Sequence, residues 1–188
     1  MKQFKNWSDV KDYDELPIRV RRSEYERMSS NDRKRMGELR VFMGFASVSG
    51  LSIDLSSVES IDSPFPDIRC NLSGSPYFFE LAEVTDENLA RRYNESLRTR
   101  KITGGSYSHD EPLIKRIITF KSQKNYQTKG APIDLVLYYW KQTPHRADVT
   151  NTVSKLRPVF EQLRSSTSFS RIWLYEHPVP KVLSVISI

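Results

Sequence analysis

The apolar residues of the chain follow two different spacings, which predict a mixture of helices and strands. From Arg33 to about Ser47 they recur every three to four residues, as in a helix with one buried face. Residues 29–31, Ser-Ser-Asn, offer N-caps for this helix, and Gly50 offers a place to end it. Its buried stripe is predicted from Met36, Leu39, Met43 and Ala46, widened by Phe42 and Phe45.

Strand patterns dominate the next part of the sequence. Four segments show them, at Leu51–Leu55, Val58–Ile61, Asp67–Leu72 and Tyr77–Val84. The last two are separated by Ser-Gly-Ser-Pro at 73–76, which predicts a hairpin turn.

The second half of the chain alternates between the two patterns. Helices are predicted at Asp86–Arg100, from Asp110 or Glu111 to about Asn125, and at Asp148–Leu163 with a kink or a break at Pro158. Strands are predicted at Ile133–Trp140, the most apolar run, and at Ile172–Tyr175 and Val182–Ile186. The fold class is therefore α/β, with a mixed central sheet flanked by helices. Residues 1–28 are predicted to be a charged N-terminal extension, and 29–188 a single domain.

The composition of the chain limits its predicted cellular location and the kinds of metal site it could hold. No apolar run approaches the roughly 18 to 20 residues that span a bilayer, and the N-terminus lacks the apolar centre of a signal peptide. The single cysteine, Cys70, indicates a reducing compartment and a cytoplasmic location. One Cys and three scattered His also argue against a structural zinc site.

The positive charge is concentrated in one part of the chain. The net charge is +6, and Arg91–Lys129 alone carries +7, from ten basic and three acidic residues. A local excess of this kind is what a phosphate-binding surface needs. An ordinary solvated helical face is the alternative, and charge alone does not separate the two.

Three carboxylates stand out because strands bring them together. Asp67 begins one predicted strand, and Glu80 and Glu83 lie on opposite faces of the next. A carboxylate within an apolar strand costs several kcal/mol unless it is paired or bound to a metal. Carboxylate oxygens held close together suit Mg²⁺ or Mn²⁺, whereas a salt bridge to a neighbouring Arg or Lys is the structural alternative.

Two lysines continue the apolar stripe of the helix after Glu111. Steps of three and four residues from Ile114 and Ile117 reach Lys121 and Lys124. Either lysine could extend along the margin of the buried stripe to water, or point its ammonium group towards the carboxylates.

Pro66-Asp67, a spacer of about a dozen residues and an apolar strand with Glu together resemble the motif of the PD-(D/E)xK nuclease superfamily. The helix carrying Glu38 is similar to the first core helix of that family, which often presents an acid. The resemblance covers roughly residues 30–140 and implies a restriction-endonuclease-like core. The family places a lysine two residues after the Glu, whereas this chain has Ala82 or Thr85 there. Lys121 or Lys124 could replace it from the following helix, as in some members.

The resemblance implies a metal-dependent nuclease that hydrolyses phosphodiester bonds. Asp67 and Glu83, or Glu80, would bind Mg²⁺ or Mn²⁺, with the Val84 carbonyl as a further ligand, and Glu38 is a possible fourth acid. Glu83 is preferred over Glu80 because it sits at a strand end. The substrate would be nucleic acid, DNA in the first instance, and a homodimer is left open. Its backbone would be held by a basic group comprising Arg91, Arg92, Arg98, Arg100 and Lys101.

Two other readings remain open. A non-catalytic nucleic-acid-binding or protein-interaction module could use the same fold, or the acids could simply pair with the basic helices. Among the remaining polar residues, Asp134 is predicted to be a cap or the partner of a lysine. His109 and His177 are predicted at the surface, and Cys70 is predicted in the core.

Overall fold

The structure is a computed structural model that describes residues 27–84, 111–140, 158–163, 166–177 and 181–187. Most of the predicted N-terminal extension, the predicted helix at 86–100 and residues 148–157 lie outside these ranges. The elements are α1 (Ser30–Ala46), β1 (Ile53–Ser60), β2 (Ile68–Leu72), β3 (Ser75–Glu83), α2 (Glu111–Ser122), β4 (Ile133–Trp140), β5 (Arg171–His177) and β6 (Lys181–Ser187). Residues 158–163 are also helical.

The six strands of the described residues form one mixed sheet in sequence order, β1 to β6. The first three strands are antiparallel neighbours. β4 and β5 then add parallel to β3, and β6 closes the sheet antiparallel to β5. The change from antiparallel to parallel pairing occurs at β3, because α2 lies on the path that returns the chain to begin β4. This arrangement confirms the predicted mixed α/β class.

Helices cover both faces of the sheet. α1 packs on one face, where Phe42, Phe45 and Phe79 form part of a buried aromatic group with Trp173 and Tyr175. α2 and the helical residues 158–163 pack on the other face. That second core contains Phe78, Ala82, Ile114, Ile118, Leu135, Leu137, Phe160 and Ile172. Successive side chains of β3 therefore point into different cores, so neighbouring residues of this strand lie on opposite faces of the sheet.

The ends of α1 show how local sequence sets its bounds. The Ser29 hydroxyl accepts the Asp32 N–H at 3.1 Å, as an N-cap does. The helix ends at Ala46 with Ser47 as its C-cap, so the prediction that Gly50 ends it was wrong; Gly50 has φ +71° in the loop that follows. The buried face is also centred differently from the predicted stripe, on Val41, Phe42 and Phe45.

β2 and β3 form the predicted hairpin. Ser73 and Gly74 connect them with φ of 51° and 82°, the conformation that a two-residue turn between twisted strands requires. Pairing begins at Leu72 with Ser75 and ends at Ile68 with Phe79. β3 continues to Glu83 alongside β4, so its last four residues have no β2 partner.

Several other predictions need correction. β1 is one strand with an irregularity between Asp54 and Glu59, where two strands were predicted. His177 is buried in β5, 1% exposed, rather than at the surface. His109 lies outside the described residues. Neither helix that the structure bounds has the length and apolar character needed to cross a bilayer.

The prediction for Asp134 also needs correction. It is fully buried and pairs with an arginine, where a cap or a lysine partner was predicted. Its carboxylate accepts hydrogen bonds from Tyr77 Oη, Arg171 Nε and Trp173 Nε1, each at 2.7 Å. The Arg171 guanidinium lies over both aromatic rings. Three donors compensate the buried charge, so this group secures the starts of β4 and β5.

Candidate active site

The candidate site lies where β3 extends beyond β2. Along β3, Phe78 and Val84 direct their N–H groups to β4. Leu81, an odd number of residues away, therefore directs its backbone groups to the other side, where β2 has not yet begun. Side chains take the place of the missing strand. Asp67 Oδ2 accepts the Leu81 N–H at 2.9 Å, and Lys121 Nζ donates to the Leu81 carbonyl at 3.1 Å.

Glu80, the residue before Leu81, is almost completely buried and faces the α2 side of the sheet. Its Oε1 lies 2.5 Å from Lys121 Nζ and 3.1 Å from Lys124 Nζ. Only 1% of the Glu80 side chain is exposed, compared with 18% for Lys121 and 42% for Lys124. A carboxylate in this position would be strongly destabilising alone, and two ammonium groups compensate its charge.

The packing of α2 brings both lysines to the same oxygen. Ile114 and Ile118 are fully buried against the sheet, which fixes the face that α2 presents. Lys121 follows Ile118 by three residues in the last turn, and Lys124 comes just after the helix ends at Ser122. Tyr126 then folds back so that Lys124 Nζ lies 5.8 Å from its ring centre. The sequence left open whether either lysine reaches the carboxylates, and the structure shows both at Glu80.

Asp67 and Glu38 extend the acidic part of the site. Burial raises the pKa of Asp67, and the neighbouring Glu80 charge raises it further, while Lys121 and the Leu81 N–H act in the opposite direction. Burial and then Asp67 raise the pKa of Glu38. Glu38 projects from α1 and pairs with Lys34 at 3.1 Å. Three acids on three separate elements therefore influence one another electrostatically.

A polar cleft of ≈ 340 Å³ opens beside these acids. We call it the α1 cleft. One wall is the first half of α1, another is the loop at residues 61–65, and the third is the segment at 124–126. Glu38 and Asp67 line the cleft, together with Asn31, Lys34, Arg35, Asp62, Phe65, Lys124 and Asn125. Small molecules and single chain segments bind in concave sites of this size.

The structure does not bring Glu83 to the same place as Glu80. Glu83 follows Leu81 by two residues, so its side chain leaves the sheet on the α1 face, and it is exposed. Glu80 is the charged neighbour that contributes most to the raised pKa of Asp67. The contacts around Leu81 favour Glu80 as the partner of Asp67, with the Leu81 carbonyl beside them, and the choice of Glu83 stays a prediction. The predicted phosphate-binding residues, Arg91, Arg92, Arg98, Arg100 and Lys101, lie outside the described residues.

Two residues of the site were not predicted from the sequence. Lys34 precedes Glu38 by four residues on α1, a spacing that favours an ion pair on a helix. Tyr126 is half-buried, and burial followed by the Glu80 charge raises the pKa of its hydroxyl. A hydrogen bond between that hydroxyl and the Glu80 carboxylate raises the pKa further. The i, i+4 spacing could have identified Lys34, whereas only the fold identifies Tyr126.

The oxygen atoms at this site are of the kind that a hard divalent cation binds, but only two carboxylates are placed together in the part of the chain that the structure describes. In the described residues, no group of three or more His, Cys, Asp or Glu is arranged to hold a metal. Mg²⁺, however, commonly uses one or two carboxylates and completes its shell with water and substrate phosphate. Asp67 and Glu80 supply two carboxylates, with the Leu81 carbonyl beside them.

No protein family, curated protein or solved structure matches the chain.

Proposed function

We propose that the protein is a metal-dependent nuclease of the PD-(D/E)xK type, acting on phosphodiester bonds of nucleic acid. The observation that carries the proposal is the meeting of Asp67, Glu80 and Lys121 around the backbone of Leu81. These three side chains come from the residue just before β2, from β3 and from the last turn of α2. Such convergence is unusual for acids and a lysine that serve only as surface charges.

The order of elements supports the same proposal. A helix with an acid, three antiparallel strands, a second helix and a parallel strand follow one another in the described residues. This is the order that the sequence resemblance implies, so a restriction-endonuclease-like core is part of the proposal. The buried, reduced Cys70 is compatible with the cytoplasmic location that the proposal includes.

In the proposed mechanism, Asp67 and Glu80 hold the cation and Lys121 supports the reacting groups. When bound, Mg²⁺ or Mn²⁺ would polarise the phosphate and lower the pKa of a coordinated water. Hydrolysis would join a water oxygen to phosphorus and break the bond from phosphorus to the bridging oxygen, and a proton from the water would pass to that leaving oxygen. Lys121 is held by Glu80 and by the Leu81 carbonyl, so its ammonium is already oriented to stabilise negative charge that develops at this position.

The two lysines have different positions and therefore different proposed roles. Lys121 is mostly buried and bonded to both Glu80 and the backbone. It is therefore the better candidate to replace the lysine that the family motif has and this chain lacks. Lys124 is more exposed and lines the α1 cleft, where it would contact the phosphate of a bound substrate. Removing one such charge-stabilising donor typically lowers the rate by about 10²–10³-fold.

Cleavage assays test the proposal. The protein is incubated with single- and double-stranded DNA and RNA in Mg²⁺ or Mn²⁺, beside Asp67→Ala, Glu80→Gln and Lys121→Met. We expect each variant to lose activity. Glu83→Gln and Glu59→Gln are matched controls, since Glu83 lies on the other face and Glu59 pairs with Arg69 outside the cleft lining. Cleavage that persists in Asp67→Ala, or that depends on Glu83 and not on Glu80, would rule out this site.

A non-catalytic nucleic-acid-binding module is the second candidate, and one observation favours it. Both lysines contact Glu80, so that carboxylate is already neutralised within the described structure. A site of this kind could be a stable structural cluster on an inherited nuclease fold. Salt-dependent binding, with no cleavage of any of the four substrates in either Mg²⁺ or Mn²⁺, would support this candidate over the first.

A further inference from the structure

We propose that the α1 cleft holds a single unpaired nucleotide, with its base stacked against Phe65. The inference rests on the proposed nuclease function and names its substrate class, which is single-stranded nucleic acid or the unpaired end of a duplex. Two aromatic side chains line this cleft, and Phe65, 40% exposed, offers more of its ring than the half-buried Tyr126.

The loop that carries Phe65 is held in place from three sides. The Ile61 N–H donates to the Asp67 carbonyl at 3.1 Å, which ties the loop to the start of β2. The Gln127 N–H donates to the Pro64 carbonyl at 3.2 Å, and Arg35 of α1 forms an ion pair with Asp62. Isolated apolar residues are common on protein surfaces. Phe65 differs because a braced loop presents it inside a cleft next to the candidate catalytic residues.

Because the charges of the cleft are paired with one another, a stacking contact contributes more to nucleotide affinity there than phosphate attraction does. Lys34 pairs with Glu38, Arg35 pairs with Asp62, and Lys124 pairs with Glu80. Because each of these cations is already compensated by an acid, the cleft attracts phosphate less than its lysines and arginine suggest. Contact with a base face would then supply a large part of the local affinity, about 1–3 kcal/mol for one stacked base.

The polar lining fits the rest of a nucleotide. Asn31 lies on the α1 wall and Asn125 on the opposite wall, and both are exposed. Their amide groups can donate and accept hydrogen bonds at base edges or sugar hydroxyls. A base offers its face to an aromatic side chain only when it is unpaired or unstacked, because neighbouring base pairs cover it in a duplex. A cleft of ≈ 340 Å³ is also small for two paired strands.

Binding measurements test this inference without cleavage. Oligonucleotides of DNA and of RNA, each with a fluorescent 2-aminopurine, are titrated with protein in EDTA, and gel electrophoresis checks that they stay intact. We expect single strands to bind more tightly than blunt duplexes and the 2-aminopurine to be quenched. Phe65→Ala should weaken single-strand binding about 5- to 150-fold, which corresponds to the loss of one stacked base.

Two control variants make the result specific. Phe120→Ala removes another exposed phenylalanine, 63% exposed on α2 and outside the cleft lining, and should bind like the unchanged protein. Phe65→Trp keeps an aromatic face and should retain the affinity and the quenching. Equal affinities for Phe65→Ala and Phe120→Ala, or a duplex preference that Phe65→Ala does not alter, would overturn the inference.

The failures of the two proposals are distinguishable. If the protein cleaves in Mg²⁺ or Mn²⁺ but Phe65→Ala binds single strands normally, the nuclease function stands and the stacking site is wrong. If single strands bind through Phe65 but no substrate is cleaved with any metal, the nuclease function is wrong and the nucleotide site is retained in a binding module.

Discussion

At the scale of single residues, the most informative group is the buried carboxylate of Glu80 with its two lysines. Removing one partner of a buried ion pair leaves a charge without compensation. Lys121→Met should lower the free energy of unfolding by about 1–3 kcal/mol, since Lys124 can still contact the same oxygen. Lys124→Met should cost less, because Lys124 is more exposed. Urea denaturation measured for each variant checks this order.

The double variant Lys121→Met, Lys124→Met isolates the buried charge. We expect it to be destabilised by about 3–5 kcal/mol, since Glu80 then loses both ammonium groups. Adding Glu80→Met should restore most of this loss, because well-packed apolar groups can replace a buried ionic cluster. A triple variant no more stable than the double variant would show that the charge of Glu80 is not what the lysines compensate.

Asp67 gives a pH-dependent prediction with a defined sign. Its pKa in the folded protein is raised, by burial first and then by Glu80. The folded state therefore binds more protons than the unfolded state between the ordinary Asp pKa and the raised one, so stability falls as pH rises through that window. Asp67→Asn keeps an oxygen acceptor for the Leu81 N–H and removes the charge. It should stabilise the protein at pH 7 by about 0.5–2 kcal/mol, in the range common for such substitutions.

Divalent cations extend the test of Asp67. A ligand that binds only the folded state raises its stability with increasing concentration. Mg²⁺ or Mn²⁺ should therefore raise the melting temperature of the unchanged protein, and should have little effect on Asp67→Asn. Asp62→Asn is the control, because Asp62 is exposed and pairs with Arg35 at the edge of the cleft. Equal metal-dependent shifts in all three proteins would place the cation elsewhere.

At the scale of elements, α2 brings the lysines to the site. Its attachment to the sheet depends on Ile114 and Ile118. Ile118 is fully buried against the sheet, whereas Phe120, two residues later, is 63% exposed. Ile118→Ala should destabilise the protein by about 2–5 kcal/mol through lost burial and the cavity that remains. Phe120→Ala should change stability by about 0.5 kcal/mol or less. Denaturation midpoints of the two variants distinguish these effects, and similar losses would contradict the assigned face of α2.

Element bounds were predicted best where the hydrophobic signal is continuous. The predicted strand Ile133–Trp140 has the bounds of β4, because a strand buried on both faces needs apolar residues throughout. β1 was divided in the prediction, because its middle residues are polar and locally hydrogen-bonded. The Ser56 N–H and hydroxyl both contact the Asp54 carboxylate there. A short polar interruption of this kind interrupts the period-two pattern without ending the strand.

At the scale of the whole molecule, the sequence identified candidate residues for a site but not which of them lie together. Asp67, Glu80 and both lysines were candidates from their spacing alone. The choice between Glu80 and Glu83 depends on which face of β3 is covered by α2, and that is a property of the tertiary structure. The burial of His177 and the pairing of Asp134 with Arg171 could not be predicted for the same reason, since each depends on neighbours distant in the chain.

The distribution of charge leads to the last prediction. Arg91–Lys129 carries +7 and the rest of the chain about −1, so nucleic-acid affinity should come largely from this part of the sequence. Each phosphate contact contributes about 0.7 to the slope of log affinity against log salt for single strands. Replacing Arg91, Arg92, Arg98, Arg100 and Lys101 by Gln should therefore reduce that slope by as much as about 3.5.

Fluorescence anisotropy over a range of salt concentrations measures this slope, with EDTA present to prevent cleavage. The matched control replaces Lys115 and Arg116, two exposed basic residues of α2 within the same charged stretch. We expect little change in the control, because neither residue belongs to the predicted phosphate-binding group. If the five-residue variant keeps the original slope, these charges form a solvated surface rather than a phosphate-binding one. Nucleic acid would then be held mainly at the cleft, where stacking on Phe65 is expected to depend little on salt.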